Sequence, residues 1–155
     1  MTAHARGKAL EDLLAHLFGR ISGVRLIRRN ALTDDASAEI DLIFWNDRTI
    51  LDFLPNILMF ECKNWSAPVD SAAVTHFSTK VTNRKLSHAF LIAANGVTGN
   101  QSQVTAARAH QHSTLLLHDC KLVVLDRADL CSLSSTEQLI ALIQERISEI
   151  YLFGA

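Results

Sequence analysis

The 155-residue sequence has no long apolar run and few cysteines. No hydrophobic segment approaches the roughly 20 residues of a membrane span, and residues 1–7 lack the apolar stretch of a signal peptide. Cys62, Cys120 and Cys131 form no C-x-x-C pair, which disfavours both a disulfide framework and a zinc ribbon. We therefore expect a soluble, cytoplasmic protein with reduced thiols.

An excess of positive charge is also missing. The net charge is −1 and the sequence pI is about 6.6, so the chain lacks the basic footprint of an autonomous DNA-binding domain. The glycine-bearing loop at residues 95–100 matches neither G-x-G-x-x-G nor a P-loop, which disfavours nucleotide binding. Any contact with nucleic acid must be local or assisted by a partner.

The sequence does contain enough apolar residues for one domain over residues 1–155, with 48% hydrophobic and 20% charged content. Periodicity predicts helices and strands in alternation, ending in a helix that packs on the core or on a partner. The predicted helices cover about residues 6–18, 71–81, 101–112 and 135–151, with a short helix or turn at 126–133. The predicted strands cover about residues 24–31, 39–45, 58–65, 88–94, 114–117 and 122–125, with 50–54 as a hairpin extension. The order strand, loop, helix, strand after residue 88 predicts a β-α-β crossover.

The strand at residues 58–65 carries two charged side chains in an otherwise apolar segment. Alternate side chains of a strand share a face, so Met59, Glu61 and Lys63 point one way and Leu58, Phe60 and Cys62 the other. Glu61 and Lys63 then lie roughly 7 Å apart. Charges on an apolar strand are costly unless they have a partner.

A second acid precedes this pair, in the apolar strand 39–45. Asp41 is preferred over Asp52 because its strand is continuously apolar, whereas Asp52 lies beside a break marked by Pro55. The residues predict a metal-dependent nuclease centre formed by Asp41, Glu61 and Lys63.

Glu11 lies at the border of the apolar stripe of the first helix, and two interpretations stay open. Its carboxylate either leans toward the active site or is a solvated charge paired with Lys8.

Two basic groups are candidates for nucleic-acid binding. Arg25, Arg28 and Arg29 give the first predicted strand a basic outer side, which either meets phosphates or protects a solvated sheet edge. Lys80, Arg84 and Lys85 lie on the polar face expected for the helix that begins near residue 71.

Other candidate sites are weaker. His110, His112 and His118 lie near Cys120, but this set straddles a helix end and a strand, which disfavours zinc. Alternation turns the Cys62 thiol toward the core, where inert packing is expected. Trp45 and Trp65 are expected to be core or site-wall residues.

Several short motifs in order resemble the PD-(D/E)XK nucleases, and among them the Mrr-like restriction endonuclease domains, over about residues 5–130. The motifs are Gly7 and Glu11 in a leucine-bearing helix, Glu39-Ile40-Asp41-Leu42, Phe60-Glu61-Cys62-Lys63-Asn64-Trp65 with Pro68-Val69, and the strand and turn of residues 89–96. The resemblance implies an α/β fold, a restriction-endonuclease-like core in which helices flank a mixed central sheet. It also implies magnesium-dependent phosphodiester hydrolysis.

Carried over by position, Asp41 and Glu61 resemble the metal-binding acids, with the Cys62 carbonyl as a further ligand. Lys63 resembles the residue that orients or deprotonates the attacking water, and its pKa is expected to fall near the metal. Glu11 is similar to a first-helix glutamate that some members use.

Some positions depart from the family pattern. Ile40 stands where the family name has proline, and Glu61 where Mrr-type proteins often carry glutamine. Residues 50–56 are long for a hairpin and are expected to displace a strand. No separate DNA-recognition domain is visible.

Two function classes follow. The first is a DNA endonuclease of restriction or phage defence that uses Mg²⁺, with Mn²⁺ as a substitute. It is expected to act as a homodimer, because one centre cuts one strand, and a partner protein is expected to supply DNA recognition; a Holliday-junction resolvase is a variant of this class. The second is a catalytically silent module of the same fold that binds nucleic acid or protein.

Overall fold

The structure is a computed structural model that describes residues 1–32, 39–97 and 120–153. Within these ranges, four helices flank a five-stranded sheet. The helices are α1 (Ala3–Gly19), α2 (Ser71–Thr82), α3 (Arg127–Cys131) and α4 (Thr136–Phe153). The strands are β1 (Val24–Leu32), β2 (Glu39–Asn46), β3 (Ile57–Lys63), β4 (His88–Ala93) and β5 (Lys121–Leu125).

The sheet is mixed, as the family resemblance implies. Its order is β1-β2-β3-β4-β5, with antiparallel pairing from β1 to β3 and parallel pairing from β3 to β5. The parallel pair β4 and β5 is what a crossover between them requires. The helix and strand predicted at 101–112 and 114–117, the turn at 33–37 and the three histidines near Cys120 lie outside the described residues.

The main core lies between one face of the sheet and helices α1, α3 and α4. Phe60 and Phe90 stack there at 4.5 Å between ring centroids, and Phe18 of α1 meets Phe60 edge-on at 4.7 Å. Leu58 and Cys62 belong to the same cluster. The alternation predicted for β3 is therefore confirmed.

A smaller core lies on the opposite face, where α2 covers the parallel half of the sheet. Val74, Phe77 and Val81 are buried on this side, as the helical spacing predicts. Asp70 caps the helix by accepting from the Ala73 N–H at 2.9 Å. The helix is thus fixed against β4, next to the strand that carries Glu61.

The prediction of a strand at 50–54 is wrong, since this segment forms turns. Leu51 and Leu54 are buried, and the fully buried Asn46 donates from Nδ2 to the carbonyls of Leu51 at 2.9 Å and Pro55 at 3.1 Å. The side chain of Asn46 thus satisfies main-chain groups that a ladder would otherwise pair. The segment displaces no strand in the described part of the chain, because β2 pairs directly with β3.

The last helix begins at Thr136 with a variant of the capping box. Ser135 Oγ accepts from the Gln138 N–H at 3.2 Å, while Gln138 Oε1 accepts from the Ser134 N–H at 2.8 Å. Leu139, Ile143 and Ile150 are buried. The apolar stripe of this helix packs on the core of the same chain.

Candidate active site

The strands β2 and β3 separate beyond the pair Leu42 and Phe60, and we call this opening the fork. Asp41 lies in the fork. The pairing of the two strands runs from Trp45 and Ile57 to Leu42 and Phe60. One residue further along, Asp41 Oδ2 accepts a hydrogen bond from the Cys62 main-chain N–H at 2.7 Å. A side-chain carboxylate thus stands where a strand carbonyl would otherwise accept this bond.

Glu61 lies beside the fork, between two ammonium groups. Lys63 Nζ is 2.7 Å from Glu61 Oε1, and Lys80 Nζ is 3.1 Å from Oε2. The Glu61 side chain is only 5% exposed, and an isolated carboxylate at this depth would be very costly. The two lysines are therefore the physical reason that a charged group is tolerated on this apolar strand.

Sequence reasoning missed the contact between Lys80 and Glu61, and the exposed polar face predicted for Lys80 is wrong. Lys80 is 7% exposed, and its ammonium also donates to the main-chain carbonyl of Glu39 at 2.7 Å. It lies three residues after Phe77, so it shares the sheet-facing side of α2. A lysine at the edge of the apolar stripe, opposite an unpartnered buried acid, is the signal that predicts this contact.

Burial raises the pKa of Asp41 to about 6. The Cys62 N–H and the charge of Lys63 oppose this rise, whereas the carboxylates of Glu61 and Glu11 add to it. The fork is therefore short of positive charge at Asp41, in contrast to Glu61.

Glu11 faces the same cleft as Asp41, a space of about 410 Å³ between α1, β1 and β2. Its pKa is raised, mainly by burial, while the charge of Arg29 opposes the rise. Lys8, the partner considered from sequence, lies 3.7 Å from Asp12 instead. Glu11 and Asp41 therefore line one cleft, and a role for Glu11 in the site stays a prediction. The cleft is lined by His4, Gly7, Lys8, Glu11, Arg29, Asn30, Glu39 and Asp41.

Of the two lysines that pair with Glu61, Lys63 is the more exposed to solvent. Burial lowers its pKa, but the hydrogen bond to Glu61 and the charges of Glu61 and Asp41 outweigh burial, so the pKa is raised rather than lowered. Its ammonium lies 5.5 Å from the centre of the Trp65 ring. Trp65 is 43% exposed beside Lys63, and Trp45 is 37% exposed further along β2, so neither tryptophan is a core residue.

The family model Mrr_cat, described as a restriction endonuclease, matches residues 3–134. The chain belongs to this family. No curated protein matches the chain. The match spans α1 to α3, so the fork of this Mrr_cat domain and its charged residues lie inside the matched region.

The residues of the Mrr_cat domain fit a small divalent cation that keeps several waters. Among the described residues, no three Asp, Glu, His or Cys side chains are grouped in a way that holds a metal ion. Mg²⁺ is commonly bound by one or two carboxylates together with waters and substrate phosphate. The carboxylates of Asp41 and Glu61 are two donors of this kind, and Glu61 is near enough to Asp41 for its charge to raise the Asp41 pKa. Burial holds the Cys62 thiol pKa well above its ordinary value, so this thiol stays protonated.

The sequence predicts that the three arginines of β1 share one basic side, and this prediction is wrong. A bulge between Leu26 and Arg28 shifts the register, so Arg25 pairs with Trp45 and Arg28 with Ile43, whereas Arg29 pairs with Leu42. Because Leu42 faces the main core, Arg29 lies on the α1 side and Arg28 on the other. Arg84 and Lys85 are exposed at the end of α2, where Arg84 donates to the Lys80 carbonyl at 2.7 Å.

Proposed function

We propose that this Mrr_cat domain is a metal-dependent endonuclease that hydrolyses phosphodiester bonds in DNA. The supporting observation is the fork, where the carboxylate of Asp41, whose pKa is raised by burial, lies near Glu61 and the ammonium of Lys63. An acid that is half-buried yet short of positive charge is destabilising unless a cation or a proton joins it. The family match to restriction endonucleases makes a divalent cation the better assignment.

Asp41 and Glu61 are the residues that would hold Mg²⁺, with Mn²⁺ as a substitute and the Cys62 carbonyl as a further ligand. When bound, such an ion lowers the pKa of a coordinated water and neutralises charge on the attacked phosphate. Lys63, kept as an ammonium by its raised pKa, orients the attacking water. Glu11 closes the cleft from α1 and contributes a second carboxylate near Asp41.

Lys80 remains on Glu61 when Lys63 turns toward water or phosphate. Lys80 has three donor contacts, at 2.7 Å to the Glu39 carbonyl and at 3.1 and 3.4 Å to the two Glu61 oxygens. The Lys80 side chain is 8% exposed, against 25% for Lys63. The more exposed lysine is the one free to change partners without leaving Glu61 uncompensated.

The biological setting proposed is restriction or phage defence, with duplex DNA as the substrate. A homodimer would place two forks on the two strands of one duplex. A partner protein that supplies DNA recognition fits the net charge of −1, since a chain of this charge has no overall excess of cations to attract DNA.

A second candidate function is a silent nuclease-fold module that binds nucleic acid or protein. The observation that favours it is the occupation of both Glu61 oxygens by lysines. A carboxylate held in this way is already neutralised, and a cation has to displace one of the two ammonium groups.

The test is cleavage of supercoiled plasmid in Mg²⁺ or Mn²⁺ by the wild-type chain, with Asp41→Ala and Asp52→Ala prepared in the same way. Asp52 is a matched control because it is an exposed acid in the loop at the opposite end of β2. We expect the wild type and Asp52→Ala to nick plasmid at rates within about twofold, and Asp41→Ala to lose at least about 100-fold, since it removes a metal ligand.

The alternatives give different results in the same assay. A folded wild type that cuts nothing in either metal favours the silent module. Equal cleavage by Asp41→Ala and wild type contradicts the assignment of the fork. A four-way junction cut in preference to plasmid identifies a junction resolvase.

A further inference from the structure

The position of Arg29 separates it from the other arginines of its strand. The bulge in β1 turns Arg29 toward α1, where its guanidinium lies 2.6 Å from Asp12 Oδ1. It also lines the cleft that contains Asp41. A strand without the bulge would place Arg29 on the same face of the sheet as Trp45, which is the face away from α1.

The cleft is poorly suited to a phosphodiester without a cation at its wall. Three of its lining residues, Glu11, Glu39 and Asp41, are acids. The ammonium groups of Lys63 and Lys80 are both on Glu61. Arg29 and Lys8 are the strong cations among the described residues that line the cleft. Of these two, Arg29 has the planar guanidinium that can donate to two phosphate oxygens at once.

The present partner of Arg29 is easily exchanged. The Asp12 side chain is 52% exposed and also lies near Lys8. An ion pair of this exposure contributes little net stability, because water solvates both groups well when they separate. The guanidinium is therefore held in place at the cleft by a contact that a phosphate can replace.

We propose that Arg29 binds the DNA phosphate that enters this cleft, and that Asp12 holds the guanidinium in position in the free protein. This inference rests on the proposed function and adds a phosphate-binding residue to it. The incoming phosphate displaces Asp12 from the guanidinium, so the Asp12 carboxylate competes with DNA in this scheme. The alternative is that the ion pair of Arg29 with Asp12 only stabilises the packing of α1 on β1.

The experiment measures duplex DNA binding by fluorescence anisotropy in EDTA, where a metal-dependent reaction does not proceed, at several salt concentrations. The variants are Arg29→Gln, Asp12→Asn and Arg20→Gln. Arg20 is the charge control, since it is exposed at the other end of α1 and lies about 14 Å along the helix from Glu11. Plasmid cleavage by the wild type in Mg²⁺ is measured in parallel.

We expect Arg29→Gln to weaken DNA binding at least tenfold and to reduce the salt dependence by about one phosphate contact. Arg20→Gln should stay within about threefold of wild type, and Asp12→Asn should bind as tightly as wild type or more tightly.

An ion pair that is only structural would make Arg29→Gln and Asp12→Asn weaken binding alike, which overturns the proposal. Normal binding by Arg29→Gln, with active wild type, overturns it while the nuclease assignment stands. A wild type that neither binds nor cuts duplex contradicts both.

Discussion

At the scale of single residues, the two acids of the fork are stabilised in opposite ways. Glu61 is deeply buried but has two ammonium partners. Asp41 is less buried, yet its Oδ2 accepts from the main-chain N–H of Cys62, and two other carboxylates raise its pKa. The electrostatic cost of the site is therefore concentrated on Asp41, where a cation would relieve it.

This cost predicts a pH-dependent effect of Asp41→Asn. The folded pKa of about 6 lies above the ordinary value of 3.8, so the folded chain keeps a proton that the unfolded chain releases between these values. The free energy of unfolding therefore falls as pH rises through this window, and the full penalty of about 1–3 kcal/mol applies above it. Asn removes the charge and keeps an oxygen for the Cys62 N–H.

We expect Asp41→Asn to be more stable than wild type by about 1–3 kcal/mol at pH 8, with the difference shrinking toward pH 4. The measurement is urea unfolding in EDTA at pH 8, 6 and 4. Asp52→Asn, which changes an exposed acid, should match wild type at each pH. A variant less stable than wild type at pH 8 would show that the Asp41 carboxylate is better compensated than its surroundings indicate.

At the scale of elements, the site depends on α2 as much as on the strands that carry the acids. Lys80 joins β2 to β3 across the fork by donating to the Glu39 carbonyl and to Glu61. The helix is held in place by its buried Val74, Phe77 and Val81. The helix that packs the smaller core thus also positions a charge at the fork.

This arrangement predicts unequal effects from removing the two lysines. Lys80→Met leaves the Glu39 carbonyl without this donor and removes the more buried of the two ammonium groups, so we expect a loss of about 2–4 kcal/mol in unfolding free energy. Lys63→Met, at a more exposed position, should cost about 1 kcal/mol or less. Urea unfolding of both variants in EDTA at pH 7 is the measurement. Equal losses would mean that the two lysines share Glu61 evenly.

Much of the site could be predicted from local sequence pattern, for physical reasons. Strand alternation has a period of two, so the spacing of Glu61 and Lys63 placed both on the face opposite Phe60, and the structure agrees. The continuity of the apolar run around Asp41 distinguished it from Asp52, which lies in an exposed turn. Each of these inferences depends on a few neighbouring residues.

The parts that could not be predicted depend on long-range geometry. The bulge that turns Arg29 toward α1 is a property of the pairing between β1 and β2, and a single strand sequence does not specify it. The contact of Lys80 with Glu61 joins residues 19 positions apart through the packing angle of α2. The loop at 50–54 has apolar residues that favour a strand, but Asn46 takes the main-chain bonds that a strand would need.

At the scale of the whole molecule, the fork is a single candidate centre within the described residues, whereas duplex DNA has two strands. One centre cuts one strand in each event, so a double-strand break needs two events or two copies of the chain. Asp41→Ala makes an inactive copy if Asp41 is a metal ligand. Mixing it with wild type then tests whether copies cooperate.

For a homodimer that cuts both strands together, we expect direct linearisation of plasmid to fall as the square of the wild-type fraction, because both copies must be active. Nicking should fall more slowly, since a mixed dimer retains one active fork. At a tenfold dilution with Asp41→Ala, direct linearisation should drop about 100-fold and nicking by less than about tenfold. The control is the same dilution with buffer, which gives the same final wild-type concentration as the mixture. If linear and nicked products decline in parallel in the mixtures, the chain cuts one strand at a time as an independent monomer, and the low net charge then points to a partner that holds the DNA.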